Sequence, residues 1–132
     1  MLNNIIIAYS LTRSSKRLNA TQVYDFGNRG FNYTVNQDGI IEKLYKDHDN
    51  KDNENMPKLH NAPGKSLVFL VLGGMNKEDQ VEDTTTWRQW DAIETIIRYN
   101  KLFNIDLNIY GLDELNEEYM LPISMKKYLN TI

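Results

Sequence analysis

Two kinds of hydrophobic spacing divide the chain into predicted strands and helices. Residues 2–9 contain the run Ile5-Ile6-Ile7-Ala8, and residues 66–72 read Ser-Leu-Val-Phe-Leu-Val-Leu before a pair of glycines. Short, continuous apolar runs rich in β-branched residues are typical of strands that are covered on both faces. Residues 31–45 instead alternate apolar and polar positions around Asp38-Gly39, a dipeptide that favours a tight turn, and this predicts a β-hairpin.

Longer-period spacing predicts one long helix and two short ones. Trp87, Trp90, Ile93 and Ile97 recur every three or four residues within 84–102, with Phe103 continuing the series, and they are expected to face the core. Threonines at 84–86 can cap this helix. The short helices are expected at 18–28 and 122–129, and a further strand at 105–110.

The order of these elements predicts the fold class. A strand, a helix, a hairpin, a strand, a long helix, a strand and a short helix together indicate an α/β fold. We expect a mixed central β-sheet flanked by helices. A length of 132 residues is typical of one domain, so a single domain over 1–132 is predicted.

Composition narrows the classes of function. The net charge of −3 argues against general affinity for nucleic acid or an anionic membrane. The chain contains no cysteine, which excludes disulfides, thiolate metal ligands and cysteine nucleophiles. Its N-terminal apolar run is too short for a signal peptide or a membrane span.

The local clusters of acidic, histidine and tryptophan side chains do not indicate a metal-binding or ligand-binding site. His48 lies among Asp47, Asp49 and Asp52, but their spacing matches no recognised calcium loop, and residues 46–58 are predicted to form a solvated surface loop. The acidic segment 111–121 is likewise expected to be solvated. Trp87 and Trp90 lie at a spacing that favours core packing over stacking on a sugar or base.

Three segments of the chain resemble the zinc-dependent N-acetylmuramoyl-L-alanine amidase and peptidoglycan recognition protein family, which includes phage lysozyme-type amidases. Residues 5–12 are similar to the opening strand and loop of that family. Residues 30–42, with Gly30-Phe31-Asn32-Tyr33 and the Asp-Gly turn, resemble its hairpin, and residues 59–74 resemble its histidine-containing loop and central strand.

The resemblance implies a zinc site whose ligands this chain lacks. The family's three ligand positions fall on Ala8, on Tyr110 or Gly111, and on Leu121 directly before Pro122. A zinc ion that activates water needs donors from His, Cys, Asp or Glu with one position left open. We therefore expect no metal, no other cofactor and no catalytic residue. The remaining cleft positions implied by the resemblance, here termed the vestigial cleft, are Phe31, Asn32, His60 and Tyr119.

These observations together predict a pseudoenzyme. We expect a catalytically inactive, phage-encoded protein of the amidase fold, located in the virion or the host cytoplasm. It would serve as a virion structural or assembly component by contacting other protein chains, with neither nucleic acid nor membrane as a partner. Three alternatives remain: a peptidoglycan-binding module that uses His60, Asn32, Phe31 and the loop 10–16; a regulator that binds a polymerase or host enzyme; and an active amidase with a relocated site.

Overall fold

The structure, a computed structural model, describes residues 1–13, 16–44 and 59–129. The sequence-predicted loop at 46–58, including His48, and the end of the hairpin at Tyr45 lie outside the described residues. Within the described ranges the elements run in the following order: β1 Asn4–Tyr9, α1 Ala20–Arg29, β2 Tyr33–Val35, β3 Ile41–Lys43, β4 Ser66–Val71, α2 Trp87–Lys101, β5 Asn108–Gly111 and α3 Met125–Leu129.

The strands form one five-stranded mixed sheet in the order β3-β2-β4-β1-β5. Strand β1 lies between β4 and β5 and runs parallel to both, β2 runs parallel to β4, and only β3 is antiparallel to its neighbour. The run Ile5-Ile6-Ile7 is completely buried, as a strand covered on both faces requires. The predicted α/β fold with a mixed central sheet is confirmed.

The predicted hairpin is confirmed in β2 and β3, where Tyr33 pairs with Lys43 and Val35 with Ile41. Its turn is stabilised by the side chain of Asn36, which accepts hydrogen bonds from the backbone N–H groups of Asp38 (2.9 Å) and Ile40 (3.0 Å). Gly39 has a φ of +76°, a conformation that residues with a Cβ rarely adopt. A Cβ there would also lie 2.6 Å from the Arg88 carbonyl oxygen, so the turn packs closely on α2.

The sheet separates two hydrophobic cores. Because side chains alternate along a strand, Ile5, Ile7 and Tyr9 of β1 point to one face, where they meet residues of α2 and α3. Ile6 and Ala8 point to the other face, where side chains of α1 pack. We call these the α2 face and the α1 face.

A buried glutamine joins the start of α2 to the sheet. Thr86 caps the helix and forms a capping box with Gln89. The Gln89 side chain is completely buried, and its Nε2 donates to the carbonyl oxygens of Val35 (3.1 Å) and Leu72 (2.9 Å). Its Oε1 accepts the Thr86 N–H at 2.9 Å. One side chain therefore satisfies backbone groups from the helix and from the ends of β2 and β4.

The predicted helix at 84–102 is confirmed as α2, but the prediction of its buried face was wrong at both ends. Ile93 and Ile97 are completely buried, whereas Trp87 is 72% exposed and Phe103 67% exposed. The fully buried stripe begins instead at Gln89. Trp87 precedes Gln89 by two residues, about 200° around the helix, and therefore points away from the sheet.

The last predicted strand begins later than the alternation suggested. Strand β5 starts at Asn108, and Ile105, predicted as its first residue, is 86% exposed in the turn before it. The acidic segment after β5 contains a short 3₁₀ turn, Leu112–Glu114, in which Leu112 is completely buried. No helix in the described part of the chain has the length and apolar character needed to cross a membrane.

Replacing Gln89 by leucine tests the role of the buried amide. We expect Gln89→Leu to lower the free energy of unfolding by about 2–4 kcal/mol, because the Leu72 carbonyl and the Thr86 N–H lose their hydrogen-bond partner, while the Val35 carbonyl keeps only the Leu72 N–H. The measurement is chemical denaturation followed by circular dichroism. The matched control is Gln37→Leu at a partly exposed position in the hairpin turn, where a change within about 0.5 kcal/mol is expected. Equal losses in the two variants would contradict this role.

Candidate functional site

The three positions implied for zinc ligands lie where the parallel strands β1 and β5 end. In parallel sheets the carboxyl ends of neighbouring strands meet at one edge, which is where such folds commonly build sites. Ala8 lies near the end of β1, is 1% exposed, and belongs to the buried cluster on the α1 face. Its methyl group contacts other hydrocarbon side chains and has no lone pair to donate.

The register of β5 distinguishes the two residues considered for the second position. Tyr110 pairs with Ile6 and therefore lies on the α1 face, whereas Gly111 pairs with Ile7 and lies on the α2 side. One step further along the two strands, Ala8 comes opposite Leu112, and both belong to the buried cluster of the α1 face. The residue beside Ala8 is therefore Leu112, which directly follows the two residues that the resemblance implies.

Leu121 is the third apolar side chain near the ends of β1 and β5. It packs against both buried clusters, and its Cδ2 lies 3.2 Å from the position that a Cβ on Gly111 would occupy. The side chains that converge at the strand ends are thus those of Ala8, Leu112 and Leu121. None carries nitrogen, oxygen or sulfur, so these residues do not fit the zinc ion that the resemblance implies. Among all described residues, no three His, Cys, Asp or Glu side chains form a group that could bind a metal.

The aromatic residues of the vestigial cleft form a packed cluster. Phe31 is completely buried, so it is not accessible to a ligand, which corrects its assignment as a contact residue of an open cleft. Its ring makes edge-to-face contacts with Phe26 (5.3 Å between centroids) and Tyr119 (6.0 Å). Such geometry is the favoured one for aromatic pairs in cores.

Arg29 occupies the space that these three rings share. Its guanidinium carbon lies 5.2 Å from the ring centroid of Phe26, 5.5 Å from that of Phe31 and 5.3 Å from that of Tyr119. One guanidinium N–H also donates to the Tyr119 hydroxyl. These distances are typical of cation–π contacts. An arginine of the chain itself therefore fills an aromatic cage, and the sequence pattern gave no indication of this because Arg29 lies ninety residues from Tyr119.

Asn32 and His60 make local structural contacts. The Asn32 Oδ1 accepts the Val68 N–H at 2.7 Å while its own N–H donates to the Val68 carbonyl at 2.9 Å, which ties it to β4. His60 Nδ1 accepts the Ala62 N–H at 3.2 Å, and partial burial lowers the pKa of its imidazole. In each of these two side chains of the vestigial cleft, one polar atom thus pairs with backbone: Oδ1 in Asn32 and Nδ1 in His60.

Open space on the α1 face lies away from the strand ends. A cavity of about 300 Å³ is bordered by the segment before α1 and by the hairpin, including Leu18, Thr34 and Leu44. Ala8, Leu112 and Leu121 do not line it. The positions that would hold a metal and this cavity are therefore separate.

Comparison with solved structures identifies the fold. No family model matches the sequence, and no curated protein matches it significantly. The structure is similar to N-acetylmuramoyl-L-alanine amidase LysC from Clostridium intestinale URNW, with a TM-score of 0.63 and 13% identity over 98% of this chain and 83% of that chain. It is also similar to endolysine N-acetylmuramoyl-L-alanine amidase LysCS from Clostridium intestinale URNW, with the same score and identity, over 98% of this chain and 81% of that one. This chain therefore has the fold of N-acetylmuramoyl-L-alanine amidases.

Proposed function

We propose that this protein is a catalytically inactive, phage-encoded member of the amidase fold that acts as a virion structural or assembly component through contacts with other protein chains. The observation that carries the proposal is the meeting of Ala8, Leu112 and Leu121 at the strand ends. Hydrocarbon side chains cannot bind the ion that would lower the pKa of water and polarise an amide carbonyl.

The packing around this point also supports a non-catalytic role. A hydrolase needs an open position at which substrate and water approach the reacting centre. Here Phe31 is completely buried and Arg29 lies within the aromatic cage. The core on this face consists of apolar contacts, which are favourable without any bound ion. A fold of this kind can persist after the chemistry has been lost.

Two further observations favour a phage protein that binds other proteins. One structural neighbour is described as an endolysine, a class of phage-encoded lytic enzyme, and this chain spans most of its length. The surface also carries exposed large apolar side chains along and just beyond α2, namely Trp87, Leu102, Phe103 and Ile105. Exposed apolar clusters are typical of protein–protein contact surfaces.

The catalytic part of the proposal is tested with purified protein. We expect no stoichiometric zinc after dialysis against zinc-containing buffer, measured by inductively coupled plasma mass spectrometry. We also expect no release of muramyl-linked peptides from peptidoglycan, with the amidase LysC as the positive control. Chelator-sensitive release of such peptides by this chain would contradict the assignment of a pseudoenzyme.

The structural part of the proposal needs a separate measurement. Virions purified through a density gradient from cells that carry the native gene should contain peptides of this chain, detectable by mass spectrometry. The abundance should be constant relative to the major capsid protein across the gradient peak, because a structural component has a defined stoichiometry. Detection only in the unfractionated lysate would argue for a role outside the particle.

Replacement of Arg29 distinguishes a structural cage from a binding site. We expect Arg29→Ala to lower the free energy of unfolding by about 1–2 kcal/mol, because a partly buried cation loses three aromatic contacts. The control is Arg98→Ala, whose exposed pair with Glu94 (2.7 Å) should contribute about 0.3–0.5 kcal/mol. Both values come from urea denaturation. A stability gain in Arg29→Ala would indicate that the arginine is kept for a ligand instead.

A further inference from the structure

One row of exposed side chains runs along the solvent side of α2. Trp87, Asp91, Thr95 and Tyr99 follow one another at intervals of four residues, and Phe103 continues the row just beyond the helix. We call these five residues the outer ridge. Its ends are apolar and exposed: Trp87 by 72%, Tyr99 by 60% and Phe103 by 67%. Its middle residue, Thr95, is small.

A groove lies beside the outer ridge, and it leaves space for the side chains of a second helix that packs on the ridge. The groove has a volume of about 810 Å³ and an apolar floor that includes Leu67 and Phe69. The hairpin turn at Asp38 and Gly39 borders it opposite α2. The groove therefore adds exposed apolar surface beside the outer ridge.

Two polar groups on the ridge complement each other but cannot meet within one chain. The carboxylate of Asp91 and the hydroxyl of Tyr99 form no hydrogen bond or ion pair within the described residues. They lie eight residues apart on the same helix, a separation of about 12 Å. A second, antiparallel copy of the ridge would bring each acceptor beside a donor.

We propose that the outer ridge binds the outer ridge of a second copy of this chain, antiparallel and related by a twofold axis at Thr95. An axis at Thr95 brings together residues that lie equally far before and after it. Asp91 therefore lies opposite Tyr99 of the second copy, and Trp87 lies opposite Phe103 of the second copy. By symmetry each contact occurs twice, as in any isologous interface. Rows spaced by four residues interdigitate when two helices cross at about 50°, the commonest packing class in globular proteins.

The central threonine and the charges of α2 allow two copies of the outer ridge to approach each other closely. The Thr95 hydroxyl already donates to the Asp91 carbonyl at 2.8 Å, so no polar group is left unpaired where the helices approach most closely. Flanking charges are paired within the chain: Arg98 with Glu94, and Arg88 with Asp38 at 3.8 Å. The two Asp91 carboxylates would lie about 12 Å apart, beyond the screening length of roughly 8 Å at physiological salt.

This inference shares the exposed side chains of Trp87 and Phe103 with the proposed function, but it does not depend on the absence of catalysis, because α2 lies on the face of the sheet opposite Ala8, Leu112 and the aromatic cage. A catalytically active protein could form the same dimer. A failure to dimerise therefore leaves the pseudoenzyme proposal unaffected, and the converse also holds.

A single cysteine placed on the proposed axis tests the geometry directly. The chain has no cysteine, so Thr95→Cys introduces the only thiol. Under mild copper–phenanthroline oxidation we expect a disulfide-linked dimer on non-reducing gels, formed at least about tenfold faster than in the control Asp25→Cys, an exposed position on α1. Far-UV circular dichroism checks that both variants keep the native fold.

Sedimentation of the unsubstituted full chain tests the dimer without any cross-link. We expect a concentration-dependent equilibrium between the 15.5 kDa chain and its dimer. Tyr99→Phe should weaken the dimer about tenfold, since two symmetric hydrogen bonds to a carboxylate are lost. A chain that stays monomeric from micromolar to millimolar concentration would overturn the proposal. So would a dimer in which Thr95→Cys is no faster to cross-link than Asp25→Cys, because that dimer uses another surface.

Discussion

The three hydrogen bonds of the buried Gln89 amide set the position of α2 on the sheet. The Leu72 carbonyl just after β4 and the Thr86 N–H at the start of the helix both pair with this side chain. The Val35 carbonyl at the end of β2 accepts from it as well as from the Leu72 N–H. Leaving such groups unpaired in a core costs several kcal/mol in total, so the helix has little freedom to rotate or slide. The same constraint fixes which side of α2 faces solvent, and therefore which residues form the outer ridge.

The α1 face and the α2 face of the sheet consequently differ in what they leave exposed at the surface. On the α1 face, the strand ends that carry a metal in the resembled family are closed by hydrocarbon side chains, and Arg29 fills the neighbouring aromatic cage. On the α2 face, a groove and a row of exposed aromatic residues remain at the surface. Strand ends without zinc donors on one face and an available contact surface on the other are both consistent with the proposed protein that acts by association.

Local pattern was sufficient wherever neighbouring residues decide the conformation. The Asp38-Gly39 turn, the continuous run of β1 and the 3.6-residue period of α2 each predicted an element that the structure contains. The hydrophobic pattern predicted burial wrongly where a polar partner far along the chain fixed the orientation of a helix. Trp87 was expected in the core because it extends the apolar spacing, but the buried stripe starts at Gln89, whose carbonyl partners lie on strands far along the chain. Ile105 was placed in a strand that begins only at Asn108.

The sequence by itself determined the chemical inventory of the strand ends: without His, Cys, Asp or Glu at the implied positions, no arrangement of those side chains supplies zinc ligands. It also determined the order and type of the elements, because turn residues and hydrophobic period act locally. Only the tertiary structure decided that Leu112, and not Tyr110 or Gly111, lies beside Ala8. The physical reason is that side chains alternate along paired strands, so a shift of one residue moves a group to the opposite face of the sheet.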